Sequence, residues 1–301
     1  MRVIRRLAAV TTCLALATAL AACDDSPEKK AEEPPYVLGE SDQYVAFGDS
    51  YTSAPGTGPV TKAEGCSQTR VNYPHRIAKA TGVALLDHSC NGADTNNVVD
   101  PQTTARTRKV IAEPQIDGVG EDTDLITFRM GANDFGLIGR IFGCAIAYSK
   151  GVLGNTPQAC TTLDETAPKG PVADVKDDLT ADVVAALQAI SDRAPNARIF
   201  VIGYPQILPP EGSCALFPLP PGDDAWARGI IEDFNVALRA GAEAIDATYI
   251  DMWEVSAGHD TCSDDPWMAG IKVPDGGAVV FHPYTTEGQA VAELVLAELK
   301  S

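Results

Sequence analysis

Tyr44-Val45-Ala46-Phe47-Gly48-Asp49-Ser50-Tyr51 is an apolar run that ends in Gly-Asp-Ser. Four apolar residues in succession suit a short strand buried on both faces. Where such a strand meets glycine and a small polar residue the chain turns sharply. The next hydroxyl and its N–H then stand at the carboxyl edge of a sheet. Ser50 is therefore the candidate nucleophile. Two later stretches carry complementary chemistry: Gly131-Ala132-Asn133-Asp134 offers an amide donor and Phe281-His282-Pro283 an imidazole.

Outward from that run, short apolar segments alternate with amphipathic ones, the pattern of a parallel sheet covered by helices on both faces. The expected strands are Tyr44–Phe47, Val83–Leu86, Leu125–Arg129, Arg198–Ile202 and Thr248–Asp251. A helix is expected over Tyr73–Thr81, capped by Asn72, with Pro74 in its first turn and Gly82 as its stop. Further helices are expected over about Val175–Arg193, Asp223–Ala240 and Glu287–Leu299. Phe135–Gly170 breaks the alternation and reads as a long insertion of the kind that forms a wall or lid. Its apolar residues Leu137, Ile138, Ile141, Phe142 and Ile146 are expected to pack on the core in preference to lining an acyl pocket. No internal repeat is visible.

The chain has 301 residues and a formal net charge of −18. Arg2, Arg5 and Arg6 are the only charges among the first 22 residues, so the remainder is more acidic still. Nucleic acid is excluded as a partner, because phosphate binding needs a basic face. The arginines precede an apolar run, Leu7–Ala22, which reads as an export signal over residues 1–22 and is short for a membrane span. It ends Leu20-Ala21-Ala22-Cys23, which is similar to a bacterial lipobox and makes Cys23 the expected lipidated first residue. Residues 23–41 then form a tether, charged and Pro-bearing from Asp24 to Pro35. The folded domain is expected over 42–301, on the outer face of the membrane, or secreted if the lipobox is not used.

Apart from Cys13 and Cys23, six cysteines remain: Cys66, Cys90, Cys144, Cys160, Cys214 and Cys262. An even set in an exported domain implies three disulfides. The sequence leaves connectivity open, and closure between neighbours favours 66–90, 144–160 and 214–262. Each bridge would contribute roughly 3 kcal/mol. No C-x-x-C pair, H-E-x-x-H or clustered Cys/His spacing supports a metal site, and no cofactor is expected.

Ester hydrolysis needs a nucleophile, a base for its proton and donors for the oxyanion of the tetrahedral intermediate. Ser50 follows the first expected strand, Gly92 the second and Asn133 the third, and His282 precedes the last helix, so all four can meet at the carboxyl edge. The Ser50 and Gly92 N–H groups with the Asn133 amide would form the oxyanion hole. Taken singly, Ser50 would be a turn residue and Asn133 a helix cap. Asp49 and Asp134 are expected to stabilise turns by accepting backbone N–H bonds. His75 belongs to an ordinary helix, His88 flanks a strand end, and His259 is the competing base.

Gly48-Asp49-Ser50, Gly92 within Cys90-Asn91-Gly92-Ala93, Gly131-Ala132-Asn133-Asp134 and His282-Pro283 resemble, in order, the four blocks of the SGNH (GDSL) hydrolases. The resemblance runs from about residue 42 to the end. Asn72-Tyr73-Pro74, Pro195-Asn196-Ala197-Arg198 and Gly203-Tyr204-Pro205, with Cys66 and Cys90, further resemble the secreted actinobacterial esterases and lipases. This implies a three-layer α/β/α, flavodoxin-like fold with a five-stranded parallel sheet, three disulfides and action on carboxylic acyl esters. One position departs. The family places Asp three residues before the catalytic His, and here that residue is Val279. A Ser-His dyad is expected, with the Val279 carbonyl or one near it orienting His282, and Asp275, then Asp264 and Asp265, as side-chain alternatives. The reading is a monomeric serine esterase or lipase that meets its lipid or envelope ester beside the membrane. Its alternatives are an envelope O-acyltransferase or glycan deacetylase, and a non-catalytic binding lipoprotein.

Overall fold

A computed structural model describes residues 37–61, 65–274 and 277–301. The export signal, Cys23, the tether up to Pro35 and Asp275 lie outside the described residues. Five parallel strands make the sheet: β1 (Gln43–Gly48), β2 (Ala84–Asp87), β5 (Leu125–Arg129), β6 (Arg198–Ile202) and β7 (Thr248–Ile250), in the order β2-β1-β5-β6-β7. A two-stranded antiparallel ribbon, β3 (Gln102–Thr103) and β4 (Val110–Ala112), lies outside it.

The alternation of side chains along β1 sorts the core into two layers. Tyr44 and Ala46 face one side and pack with Phe200 and Ile202 of β6. That face is covered by α2 (Tyr73–Thr81) and α8 (Thr285–Glu298), through Ile77, Val291 and Val295. Val45 and Phe47 face the other side with Ile126 and Phe128. Three helices cover it: α3 (Leu137–Ser149), α5 (Val172–Arg193) and α6 (Asp224–Ala244), through Leu137, Leu179, Val183, Ile230 and Phe234. A strand apolar on both faces thus sits at the middle of three layers, as the opening octapeptide implies.

Local signals explain the helix ends. Asn72 accepts the His75 N–H at 3.2 Å, and Gly82 closes α2 in the left-handed region. The insertion after β5 is largely helical, which its sequence did not announce. It holds α3 and the short α4 (Ala159–Asp164), joined by the Cys144–Cys160 disulfide. Glycines at 136, 139 and 143 dilute the helical signal of α3 in the sequence. Its Leu137, Ile138 and Ile141 are buried in the core, as expected. Two one-turn helices, α1 (Ser50–Ser53) and α7 (Met252–Val255), were also not anticipated. The other two disulfides join Cys66 to Cys90 and Cys214 to Cys262, the neighbour pairing expected. Bridges of this kind persist in oxidising compartments, outside the cytoplasm. No helix among the described residues is long and apolar enough to cross a membrane.

Candidate active site

The turn after β1 is built by close approach. A Cβ on Gly48 would lie 2.1 Å from Thr52 Oγ1, so only glycine lets α1 fold back on the strand. Gln115 grips the same residue: its Oε1 accepts the Gly48 N–H at 2.8 Å and its Nε2 donates to the Gly48 carbonyl at 3.0 Å. Asp49 caps α1 by accepting the Tyr51 N–H at 2.8 Å. Ser50 is left at the first position of α1. Among the described residues its hydroxyl and its N–H make no hydrogen bond.

Backbone and side-chain ties bring the other blocks to this turn. The Cys90 N–H donates to the Gly48 carbonyl at 3.0 Å, which places the Cys90-Asn91-Gly92 turn beside Ser50. Gly92 holds φ +79, a region that disfavours any side chain, and its N–H has no partner among the described residues. Asn133 Nδ2 donates one hydrogen to the Ala93 carbonyl at 2.9 Å and keeps the other free. Asn133 is thus tied to the segment that follows the Gly92 turn. Asp134 accepts the Thr95 N–H at 3.1 Å and also bonds the Thr95 hydroxyl. It borders a polar cavity of about 360 Å³ with Asp94, Phe135 and Asp182. Burial pushes Asp134 up to about 7, and the nearby Asp94 charge adds to this.

Three contacts tie the His282 loop to the α1 turn that carries Ser50. Tyr51 Oη donates to the Phe281 carbonyl at 3.1 Å, the Val279 N–H donates to the Pro55 carbonyl at 3.1 Å, and the Tyr51 and His282 rings lie 5.7 Å apart. His282 Nδ1 lies 2.8 Å from the Val280 carbonyl, which accepts its proton when the tautomer is Nδ1–H. The acceptor is therefore one residue on from Val279, whose carbonyl takes the His282 backbone N–H at 3.1 Å instead. Of the side-chain alternatives, Asp275 lies outside the described residues. Asp265 contacts His259, 3.3 Å from its Nδ1, and Asp264 makes no tie to His282. Burial lowers the His282 pKa from its ordinary value, against the raising effect of the Val280 carbonyl.

The other histidines are occupied elsewhere. His259 stacks on Trp267 at 4.2 Å with Nδ1 against the Asp265 carbonyl, and His75 Nδ1 meets Asn72. Cys144, Cys160 and Asp223 cluster, but both sulfurs are in the disulfide and Asp223 accepts the Cys160 and Thr161 N–H groups, so no metal ligand set remains.

Sequence reading missed the support beneath the site. Arg129, wholly buried at the end of β5, pairs with Glu287 of α8 at 2.7 Å and lies 5.4 Å and 5.3 Å from the Tyr51 and Tyr204 ring centres. Tyr204 Oη donates to Asp49 at 2.6 Å. Phe142 of α3 stacks on Phe281 at 5.0 Å and flanks His282 at 6.0 Å, so it borders the site although its neighbours are core. A buried Arg–Glu pair across 158 positions leaves no local signal in a sequence.

Comparison with known proteins gives the family. The profile of the GDSL-like Lipase/Acylhydrolase family matches residues 46–291. Lipase 2 of Streptomyces coelicolor is 37% identical over 73% of this chain and 72% of its own length. A lipase of Streptomyces rimosus is 29% identical over 96% of both. Among solved structures, phospholipase A1 from Streptomyces albidoflavus superposes with a TM-score of 0.69 at 25% identity, over 87% of this chain and all of its own. The extracellular lipase of Streptomyces rimosus gives 0.68 at 27%, over 86% and all of its own. Four blocks gathered at one sheet edge, on a fold shared with these enzymes, place the chain in the GDSL-like lipase/acylhydrolase family.

Proposed function

We propose that the protein is an exported serine esterase or lipase that cleaves carboxylic acyl esters through an acyl-enzyme on Ser50. The observation that carries this is the set of free groups around the β1 turn: the Ser50 hydroxyl and N–H, the Gly92 N–H and one Asn133 amide hydrogen, with His282 tied to the same turn. Ser50 Oγ attacks the ester carbonyl as His282 Nε2 takes its proton. The three donors hold the oxyanion, and its collapse expels the alcohol, which receives that proton from His282. His282 then deprotonates a water that attacks the acyl-enzyme, and the acid is released as the proton returns to Ser50. The Val280 carbonyl keeps Nδ1 protonated, which leaves Nε2 as the base. The family membership and the relatives named lipase and phospholipase A1 support lipid acyl esters as the substrate class.

The test is hydrolysis of p-nitrophenyl esters from acetate to palmitate, with fluorophosphonate labelling, by wild type and Ser50→Ala. Activity and labelling should both vanish in the variant. A wild type that neither labels nor hydrolyses any ester would refute the reading.

Residues 1–22 as signal, 23–41 as tether and 42–301 as the catalytic domain complete this reading, with Cys23 carrying the lipid. The Leu20-Ala21-Ala22-Cys23 run supports it. Palmitate incorporation in cells should disappear in Cys23→Ala; incorporation that persists there sinks the anchor.

A further inference from the structure

We propose that Tyr204 is a positioning residue that sets the spacing of the oxyanion donors, by bridging the residue before Ser50 to the residue before Asn133. The proposal rests on the ester-hydrolase reading. Ser50 and Asn133 follow different strands, β1 and β5, so the separation of their donors is not set by any one turn. Tyr204 follows β6, a third strand. Its hydroxyl donates to Asp49 Oδ2 at 2.6 Å and accepts the Ala132 N–H at 3.2 Å. One oxygen thus holds both donor segments, each at a single residue's remove.

The bridge is held by further contacts at each of its ends. Tyr204 is wholly buried, and its backbone is clamped by one side chain of α6: Asn235 Oδ1 accepts its N–H at 2.7 Å and Asn235 Nδ2 donates to its carbonyl at 3.1 Å. Its ring meets Tyr51 edge-on at 5.2 Å and Phe234 at 5.4 Å. Asp49 is fixed in turn, with Oδ1 on the Tyr51 N–H and its own N–H on the Arg129 carbonyl at 3.2 Å. Ala132 is held on its other side too, since its carbonyl accepts the Ile138 N–H at 2.9 Å. Oxyanion stabilisation depends on donors aimed where charge develops, and small misplacements are costly. Tyr204 touches neither substrate nor nucleophile; it acts through the segments it joins.

The experiment compares wild type, Tyr204→Phe, Asp49→Ala and the double variant on p-nitrophenyl butyrate. Inhibition by an alkyl trifluoromethyl ketone, whose adduct with Ser50 carries the oxyanion, is measured alongside. Tyr204→Phe keeps the ring and removes the bridge. Its kcat should fall about 10- to 100-fold with KM within about twofold, and ketone affinity should fall in parallel. The double variant should lose no more than the worse single one, because both break one unit. A folded Tyr204→Phe with kcat and ketone affinity within about twofold of wild type, or additive losses in the double variant, overturns the proposal. If Tyr204→Phe does not fold, Asp49→Ala, which leaves Tyr204 no acceptor at residue 49, carries the same measurements. Parallel losses there support the bridge and wild-type values refute it. Failure of the wild type to label with fluorophosphonate would instead defeat the hydrolase reading.

Discussion

At His282 two effects oppose each other, and their balance decides when the base works. Desolvation disfavours the imidazolium, while the Val280 carbonyl at 2.8 Å favours it; desolvation is the larger. A carboxylate in that place would have pushed the other way. The imidazole is therefore neutral, and ready to accept a proton, over the whole range above its ordinary value of about 6.5. Activity should fall only as pH drops below that value, because protonation removes the base. The pH profile of kcat/KM for a soluble ester measures this, and an acid limb centred above 6.5 would show that an anionic group supports His282 after all. The substitution Val279 for the family's Asp announces the missing carboxylate in the sequence. Which carbonyl replaces it was not legible. That choice depends on Phe281, whose φ of +61 turns the chain back so that residue 280 meets Nδ1 and residue 279 meets the backbone N–H. The strained residue is held by stacking on Phe142, by a tilted contact with Phe217 and by the Tyr51 hydroxyl, three partners remote in sequence.

Among the elements, those whose ends carry side-chain or glycine punctuation were legible. Asn72, Pro74 and Gly82 mark α2 to the residue, and the apolar runs of β1, β5 and β6 emerge close to where the pattern puts them. α3 escaped for the opposite reason. Gly136, in the left-handed region, stands where a capping side chain would, and Gly139 and Gly143 weaken its helical propensity. What holds it is tertiary: Leu137, Ile138 and Ile141 are buried in the sheet-facing core and Cys144 is bridged to α4. This matters for the site, because α3 is the element that presents Phe142 to His282 and whose Ile138 N–H fixes Ala132. The insertion read as a wall or lid thus borders the candidate site through a helix packed on the core. Gln115 is a similar case: it comes from the segment after β4, yet its amide takes both backbone groups of Gly48 and so finishes β1 on the side where its pairing with β2 has ended.

Over the whole molecule, burial of carboxyl groups sets how stability responds to pH. Burial raises Asp49 to about 6, and Asp134 rises to about 7 from burial and the charge of Asp94. Both lie well above the unfolded value of about 3.9. Between those limits the native state retains protons that the unfolded chain has released. Their contribution is fully present below pH about 4 and is lost as pH rises through about 6 and then 7. His282 acts in the opposite sense, since its folded pKa is lowered and its share is lost as pH falls, but it is one half-buried group against two buried ones. The net charge of −18 adds to the carboxyl effect, because self-repulsion eases as the surface acids begin to titrate. Urea unfolding should therefore show a higher midpoint at pH 5 than at pH 8. Asp49→Asn, which imitates the protonated acid without titrating, should flatten that difference. A wild-type midpoint that climbs from pH 5 to pH 8 would mean that Tyr204 and the Tyr51 N–H hold Asp49 ionised in the fold, so that those hydrogen bonds outweigh the desolvation that opposes them.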